Sequence, residues 1–318
     1  MNFCLSRILS PFKRGSSSKL LISAAVRPMA TFTTEERGKG RPYSLESRIF
    51  FKRGDTYVSP FHDIPLYASS DNSVLNMIVE IPRWTNAKME ISTSEPLNPI
   101  KQDVKKGKLR FVDNCFPYHG YIWNYGAFPQ TWEYPGHVDP NTGCKGDNDP
   151  LDVCEIGSRV AKRGEVVQVK VLGTIALIDE GETDWKIIAI DVNDKMAASL
   201  NDIGDVETHM PGLLQHTVNW FKIYKMPTGK PPNQFAFNAQ PKDKAFAHNV
   251  ISTTNQQWRS AIDGNTDKGS LCLSNITLSS SDTISNEAAA GIVNGIPVES
   301  THSQDRPDTV DLQHYVKI

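Results

Sequence analysis

Asp147, Asp149 and Asp152 place three carboxylates within six residues, in the run Gly-Asp-Asn-Asp-Pro-Leu-Asp. Two unit charges about 4 Å apart repel each other by roughly 1 kcal/mol in water and by about 4 kcal/mol at the effective dielectric of a protein surface. A hard divalent cation with oxygen ligands would offset that repulsion. The same residues also suit a solvated acidic turn, because Asn, Asp and Pro are turn formers. The motif alone leaves both interpretations open.

A second acidic run, Asp179–Lys186, lies between two apolar segments. Residues 166–178 and 185–192 have the continuous apolar character of buried strands, and Gly173 marks a bulge or a bend in the first of them. The two segments therefore predict a β-hairpin. Its loop would carry Asp179, Glu180, Glu182 and Asp184, with Lys186 directly behind it.

Charged side chains interrupt two further apolar segments. In residues 87–91, apolar side chains alternate with Lys88 and Glu90, so the two charges share one face of a predicted strand. That face is either the wall of a polar cavity or a half-exposed edge with an ion pair of little energetic value. Arg110 lies within the apolar residues 109–112, and arginine is rarely buried without a partner. Its planar guanidinium suits a phosphate group.

Two tyrosines and a further lysine add hydroxyl and ammonium groups to this set. Tyr121 and Tyr125 lie in the aromatic and glycine-rich residues 116–130, and a buried tyrosine hydroxyl needs a hydrogen-bond partner. Apolar spacing in residues 211–226 predicts a helix that ends at the pair Tyr224–Lys225. Taken alone, Lys225 is explained as a positive charge that interacts favourably with the negative C-terminal end of the helix dipole.

Other segments predict the elements that must hold these groups. Glu80 lies near the end of the apolar residues 74–81, which predict a strand. Taken alone, it fits a strand-end charge facing solvent better than it fits a site. Further strands are predicted over 43–52 and 109–112, and further helices over 191–199 and 243–262.

The composition of the 318 residues excludes several classes of protein. The formal net charge is −2, so no basic field favours nucleic acid or an anionic membrane. No apolar run reaches the ~18 residues of a membrane span. The five cysteines are scattered and form no zinc spacing and no evident disulfide framework, which favours a reducing or neutral compartment.

The two ends of the chain differ in composition from the middle. Residues 1–34 contain five Lys or Arg and no Asp or Glu, which is typical of a mitochondrial transit peptide and predicts a location in the mitochondrial matrix. The alternative is a basic leader that has no targeting function. Initiation at Met29 would give a cytoplasmic protein. Residues 35–262 are the predicted domain. The Ser-, Thr- and Asn-rich residues 263–318 predict a largely extended or disordered tail.

The ordered set of motifs resembles the family I soluble inorganic pyrophosphatases of eukaryotic type, from about residue 42 to residue 262. The run Asp147–Val153 matches the signature of that family. A single acidic turn is a weak signal, whereas the whole set in one register is specific. The other matching segments are Glu80–Glu90, Gly107–Phe111, Asn124–Trp132, Asp179–Lys186 and Asn233–Phe237.

The resemblance implies an α+β fold in one domain, with a compact, OB-like closed β-barrel of about five strands flanked by helices. It implies Mg²⁺-dependent hydrolysis of inorganic pyrophosphate to two orthophosphates. The reaction would proceed by direct attack of a metal-activated water, with several Mg²⁺ ions in each site. Neither nucleic acid nor a membrane is required for it.

The resemblance also implies a role for each site position. Asp149 matches the carboxylate that accepts a proton from the attacking water, and Tyr121 matches the residue often assigned as proton donor. Glu80 matches a supporting carboxylate of the cavity. The matching metal positions are Asp147, Asp152 and Asp184, with Asp179 and Glu90 for substrate-associated ions. The matching phosphate-binding positions are Lys88, Arg110, Tyr125, Lys186, Tyr224 and Lys225.

The resemblance further implies a homodimer, which eukaryotic members typically form. Arg83, Trp84 and His119 match interface positions of the family. A tryptophan near the C-terminus often joins that interface, whereas the aromatic residue at the corresponding end of this chain is Tyr315.

Three other functions remain open at this point. The chain could be a non-enzymatic subunit that keeps the fold as a scaffold, but every pocket position retains the matching residue. It could be an OB-like nucleic-acid binder, but such a protein needs a basic groove with stacking aromatics, and here the aromatics accompany acidic clusters. It could also hydrolyse a larger phosphoanhydride.

Overall fold

A computed structural model describes Met1, residues 31–40 and residues 43–317. Residues 2–30, with most of the predicted leader and Met29, lie outside this part. The strands are β1 Phe32–Arg37, β2 Arg48–Arg53, β3 Thr56–Val58, β4 Leu75–Ile81, β5 Met89–Ile91, β6 Ile100–Gln102, β7 Val104–Lys105, β8 Lys108–Leu109, β9 Asn114–Cys115, β10 Asn124–Ala127, β11 Lys145–Gly146, β12 Asp152–Glu155, β13 Val166–Asp179, β14 Glu182–Asp191, β15 Gln234–Phe235 and β16 Gln313–His314. The α-helices are α1 Ile203–His209, α2 Leu213–Ile223, α3 Lys244–Ile262 and α4 Asn286–Asn294, and short 3₁₀ turns cover Met226–Thr228, Ala236–Ala239 and Asp308–Asp311.

Five strands of the larger sheet close into a ring. β13 pairs with both β4 and β14, β14 pairs with β12, and β10 pairs with both β12 and β4. β13 reaches both neighbours because it is 14 residues long and its register with β14 shifts between Val171 and Gly173. A Cβ at Gly173 would lie 2.4 Å from the carbonyl oxygen of Lys242, which favours glycine there. The predicted hairpin and the bulge at Gly173 are confirmed.

Both faces of the ring strands are buried. Met77 and Val79 of β4 join an apolar cluster with Ile251 of α3, whereas Ile78 joins a second cluster with Phe221 of α2. This alternation follows from the two-residue period of a strand. Burial of each such side chain stabilises the fold by about 1.5–3 kcal/mol. The strands that carry the site are therefore held from two sides.

A second sheet, in the order β1–β2–β6–β5 with β3 beside β2, lies next to the ring. The backbone N–H of Ile91 in β5 donates to Glu80 Oε1 in β4 at 2.7 Å, which joins the two sheets. Because β1 begins at Phe32, residues 32–34 belong to the folded sheet. The predicted leader boundary at residue 34 is therefore too far along the chain.

The two longer predicted helices are confirmed as α2 and α3. α3 begins after Asp243, whose side chain accepts a hydrogen bond from the backbone N–H of Phe246 at 2.8 Å and so caps the helix. The predicted helix over 191–199 is wrong, because Asp191 ends β14 and residues 192–199 form turns. In those turns the Asp194 side chain accepts from the backbone N–H of Met196, a bond that competes with helix formation.

Two predicted strands are shorter than expected. Of residues 109–112, only Leu109 belongs to a strand, and Phe111 forms an isolated bridge with Ala87. Of residues 43–52, the strand begins only at Arg48. The strand predicted over 74–81 is confirmed, starting one residue later at Leu75.

The C-terminal tail packs against the second sheet, in contrast to the prediction of a largely extended or disordered segment. Ala289 and Val293 of α4 are buried in a cluster with Phe50 and Tyr57. The Asp63 carboxylate accepts hydrogen bonds from the backbone N–H groups of residues 276 and 277 at 2.8–3.1 Å. The polar composition of the tail hid the apolar stripe of one short helix.

Among the described residues, no helix combines the length and apolar character needed to cross a membrane.

Candidate active site

One cavity of about 110 Å³ brings together every residue that the sequence predicted for the site. Its walls come from the ring strands, from β5 of the second sheet and from the end of α2. The predicted residues that line it are Glu80, Lys88, Glu90, Arg110, Tyr121, Tyr125, Asp147, Asp149, Asp152, Asp179, Asp184, Lys186, Tyr224 and Lys225.

A larger cavity of about 430 Å³ lies on the far side of Glu133, against Trp185 and α3. None of the predicted site residues lines it, and its walls are mainly apolar and amide groups. The smaller cavity is the candidate for chemistry, because it alone of the two concentrates charged side chains.

Two carboxylates that line the smaller cavity, together with Glu133, which lines the larger one, could share a cation. Oxygens of Glu133, Asp147 and Asp184 all lie within 4.8 Å of one another. Asp147 precedes β12 and Asp184 lies in β14, so the ring brings the two acidic motifs together. Burial, followed by the charge of Asp184, raises the pKa of Asp147 well above its ordinary value. Burial and the charge of Asp147 do the same for Glu133.

Glu133 is a site residue that the sequence prediction missed. Its side chain is buried, with Oε1 accepting from the backbone N–H of Trp185 at 3.1 Å and Oε2 without a hydrogen-bond partner. A buried polar atom without a partner is costly, so an unpaired carboxylate oxygen here fits a cation site. The only signal in the sequence is one acid within an aromatic segment, which is weak.

Lys186 connects Asp152 to this group. Its ammonium contacts Asp152 Oδ2 and Asp184 Oδ1 and donates to the Tyr125 hydroxyl at 3.0 Å. Asp152, Asp184 and Lys186 therefore converge on one point, as the predicted site requires. Burial opposes the charged form of Lys186, but the two carboxylates raise its pKa well above the ordinary value.

Other predicted phosphate-binding groups are paired with acidic side chains. Lys88 Nζ lies 2.7 Å from Glu90 Oε2, which confirms that these two side chains share one face. Arg110 Nη1 lies 2.8 Å from Asp103 Oδ2. At the other end of the cavity, Lys225 Nζ contacts both oxygens of one carboxylate, that of Asp179, at 2.5 and 2.7 Å.

Asp149 is the most accessible carboxylate of the first acidic motif. Its backbone N–H donates to Asp147 Oδ1 at 3.0 Å, which fixes the turn between the two acids. Loss of hydration in the cavity, followed by the charge of Glu90, raises the pKa of Asp149 to about 7. A carboxylate with such a pKa can take up a proton near neutral pH.

The three tyrosines lie close to the charged groups. Tyr224 donates to Asp179 Oδ2 at 3.2 Å, and Tyr125 donates to Asp152 Oδ2. Tyr121 packs against Tyr125 with ring centroids 5.1 Å apart, and burial raises its pKa. Glu80 is buried at the back of the cavity, where burial and the charge of Asp152 raise its pKa.

Three aromatic side chains outside the cavity are exposed. Trp84 is 57% exposed, and Phe116 and Tyr315 are 58% and 78% exposed although their rings stack 5.4 Å apart. The backbone N–H of Trp84 donates to the carbonyl of Tyr121 at 2.6 Å, two residues after His119. Arg83 Nη2 donates to the carbonyl of Gly157 at 2.6 Å.

Comparisons with known proteins agree with this geometry. The family model described as inorganic pyrophosphatase matches residues 77–259. The chain is 57% identical over 293 residues to an inorganic pyrophosphatase of Drosophila melanogaster, covering 91% of this chain and 86% of the relative. It is 58% identical over 286 residues to an inorganic pyrophosphatase of Homo sapiens, covering 89% and 97%.

The fold agrees as well. The solved inorganic pyrophosphatase of Schistosoma japonicum superposes with a TM-score of 0.82 at 47% identity, covering 89% of this chain and all of that one. Sequence motifs, cavity and fold lead to one conclusion, that the chain belongs to the inorganic pyrophosphatase family.

Proposed function

We propose that this chain hydrolyses inorganic pyrophosphate to two orthophosphates with bound Mg²⁺. The observation that supports the proposal most is the convergence of all the predicted carboxylates, cations and tyrosines on one cavity. A cavity lined by carboxylates alone would repel a polyanion. Cations bound among the carboxylates, together with Lys88, Arg110 and Lys225, would attract it.

The residues present fit a magnesium site. The oxygens of Glu133, Asp147 and Asp184 lie within 4.8 Å of one another, and Glu133 Oε2 is buried without a partner. Oxygen donors of this kind suit hard cations such as Mg²⁺. Asp147, Asp152 and Asp184 would hold the ions directly, and Asp179 and Glu90 would hold further ions that arrive with the substrate.

The residues of the site then have distinct roles in the reaction. The chemistry that Mg²⁺ supplies when bound is charge neutralisation and a lower pKa for the attacking water. Asp149 accepts a proton from that water as its oxygen attacks one phosphorus in line, and Tyr121 donates a proton to the leaving phosphate. Glu80 supports the wall of the cavity behind these groups.

The cationic side chains and the remaining tyrosines bind and orient the two phosphoryl groups, and they stabilise the charge that spreads over their oxygens. No serine or cysteine is needed as a nucleophile, so hydrolysis is a single displacement. The binding residues are Lys88, Arg110, Tyr125, Lys186, Tyr224 and Lys225.

We assign the five-strand ring to an OB-like closed barrel. The support is that β13 pairs with strands on both of its edges, which removes the free edges of the ring. The two acidic motifs then lie on neighbouring strands of the ring, β12 and β14, which pair in register from Asp152 and Lys186 onward.

A phosphate-release assay tests the proposed activity. We expect rapid release from pyrophosphate with Mg²⁺, little release from triphosphate or ATP, and none after chelation of the metal. Ca²⁺ should bind but support little hydrolysis, because it is larger and tolerates looser geometry than Mg²⁺. Equal rates with ATP would identify a broader phosphoanhydride hydrolase instead, and no release from any of the three would refute the proposal.

We propose that residues 1–31 direct the chain to the mitochondrial matrix. The support is the basic, acid-free composition of the leader and the start of the folded sheet at Phe32. Cell fractionation should place the full chain with mitochondria and a chain starting at Met29 in the cytoplasm. The same distribution for both chains would contradict a targeting role.

A further inference from the structure

The end of α2 and the end of β13 carry groups that contact each other across the cavity. Tyr224 and Lys225 follow α2 directly, and Asp179 is the last residue of β13. Lys225 Nζ contacts both oxygens of Asp179, and the Tyr224 hydroxyl donates to one of them at 3.2 Å. This cluster therefore depends on how the helix and the strand are placed relative to each other.

Asn233 holds the end of α2. Its backbone N–H donates to the carbonyl of Lys222 at 3.0 Å, and its side-chain Nδ2 donates to the carbonyl of Phe221 at 3.0 Å. The last carbonyls of an α-helix have no partner within the helix. A single residue thus satisfies two carbonyls in the turn directly before Tyr224 and Lys225.

The same residue leads directly into a strand that holds the end of β13. Gln234 and Phe235 form β15, and they pair with Ile178 and Leu177, the two residues before Asp179. Asn233 therefore connects two elements: it is hydrogen-bonded to the end of α2, and the two residues that follow it pair with the end of β13. It is not among the residues that line the cavity.

We infer that Asn233 is a positioning residue, whose side-chain amide sets the distance from Tyr224 and Lys225 to Asp179. The inference rests on the proposed function, because it concerns the placement of groups that would bind pyrophosphate and its metal. The side-chain amide of Asn233 must be the hydrogen-bond donor, because the carbonyl oxygen of Phe221 can only accept. Aspartate has nearly the same shape but would place a second acceptor against that carbonyl.

Three substitutions in the full chain separate the effect of the hydrogen-bond donor of Asn233 from the effect of its side-chain shape. Asn233→Ala removes the donor, Asn233→Asp keeps the shape without it, and Asn233→His restores an N–H at a similar reach. Asn219→Ala is the matched control. It removes an asparagine from α2 whose side chain accepts from the exposed Gln215.

Steady-state hydrolysis of pyrophosphate at saturating Mg²⁺ is the first measurement. We expect Asn233→Ala to raise KM about fivefold, the ratio that one hydrogen bond typically gives, with kcat changed less than twofold. Asn233→Asp should raise KM further, and Asn233→His and Asn219→Ala should stay within twofold of the wild type. Partial unfolding gives a different result, a lower apparent kcat at unchanged KM, because fewer molecules are active.

Calorimetric binding of pyrophosphate in the presence of Ca²⁺ is the second measurement, and it does not require turnover. The dissociation constant should rise about fivefold in Asn233→Ala and remain unchanged in Asn219→Ala. An unchanged KM and an unchanged dissociation constant in Asn233→Ala and Asn233→Asp would overturn the inference. If the wild type binds pyrophosphate without hydrolysing it, the proposed reaction fails, while the binding series still decides the role of Asn233.

Discussion

At the scale of single residues, Lys186 joins the proposed metal-binding and phosphate-binding parts of the site. Its side chain is almost fully buried, yet its ammonium is matched by Asp152, Asp184 and the Tyr125 hydroxyl. A buried lysine stays charged only when such partners compensate the lost hydration. Removal of its charge would leave the carboxylates of Asp152 and Asp184 facing each other without this compensation, so we expect both proposed binding functions to depend on this one side chain.

Asp149→Asn tests the proton acceptor. The amide keeps the size of the side chain and leaves the Asp149 N–H bond to Asp147 in place, but it cannot accept a proton. We expect kcat to fall by about 10²–10⁴, with metal affinity changed little, as measured by steady-state kinetics and calorimetry. An unchanged kcat would remove Asp149 from this role.

His62 gives a prediction for the pH dependence of stability. Burial lowers its pKa to about 4, and its ring accepts from Trp258 Nε1 at 3.0 Å and contacts the Cys272 carbonyl at 2.9 Å. Because the unfolded state binds the proton more tightly than the folded state, this residue destabilises the fold as pH falls from about 6.5 to about 4. The full effect is about 3 kcal/mol.

His62→Gln keeps one donor and one acceptor but does not titrate. In urea unfolding, the unfolding free energy of the wild type minus that of the variant should decrease steadily from pH 7.5 to pH 4.5, whatever its value at neutral pH. The comparison cancels the titration of carboxylates that both proteins share. A difference that stays constant with pH would show that His62 does not carry this proton linkage.

The residue scale also shows where prediction from the sequence stops. Closely spaced acids such as Asp147 and Asp152 are visible as a motif because local repulsion needs an explanation. Glu133 is not visible, since its partners Asp147 and Asp184 become neighbours only when the ring closes. The pairing of Lys225 with Asp179 is hidden for the same reason.

At the scale of elements, long apolar segments were predictable and short polar ones were not. β4, β13 and β14 have continuous apolar runs, and α2 and α3 have helical spacing, so burial decides their structure. α1 has one buried residue, Val206, and depends on a capping box between Asp202 and Asp205. Its existence follows from local hydrogen bonds that an apolar pattern does not report.

Gly126→Ala tests the close approach of β10 to β4. A Cβ at Gly126 would lie 1.9 Å from the carbonyl oxygen of Ile78, so the two strands would have to separate. We expect a loss of about 3 kcal/mol in unfolding free energy, the upper end for overpacking in a core. Differential scanning calorimetry and urea unfolding measure it.

Gly204→Ala is the matched control for that substitution. No atom lies within 4 Å of a Cβ built at Gly204, which is in α1. Alanine there should leave stability unchanged or raise it by up to about 1 kcal/mol, because glycine loses more conformational freedom on folding. Equal losses in both variants would contradict the steric explanation for Gly126.

At the scale of the whole molecule, the exposed aromatic surface supports a proposed homodimer. The stacked pair Phe116–Tyr315 stays more than half exposed in both rings, and Trp84 is exposed as well. Exposed aromatics of this size are enriched at protein interfaces. The tail aromatic Tyr315 is held there by the pairing of Gln313–His314 with Asn114–Cys115.

Trp84→Ala combined with Tyr315→Ala should shift the chain from dimer to monomer, because the double variant removes two aromatic anchors from the proposed interface. Light scattering after size-exclusion chromatography measures the mass. Val298→Ala, at another exposed apolar side chain, serves as the control and should remain dimeric. A wild-type chain that is monomeric at micromolar concentration would contradict the proposed dimer.

Hydrogen bonds between residues 38–39 and 297–300 join the segment that follows β1 to the segment that follows α4. A ribosome releases the amino-terminal strand long before it releases the residues that complete this edge. Until translation finishes, that strand lacks its last neighbours and is available to chaperones.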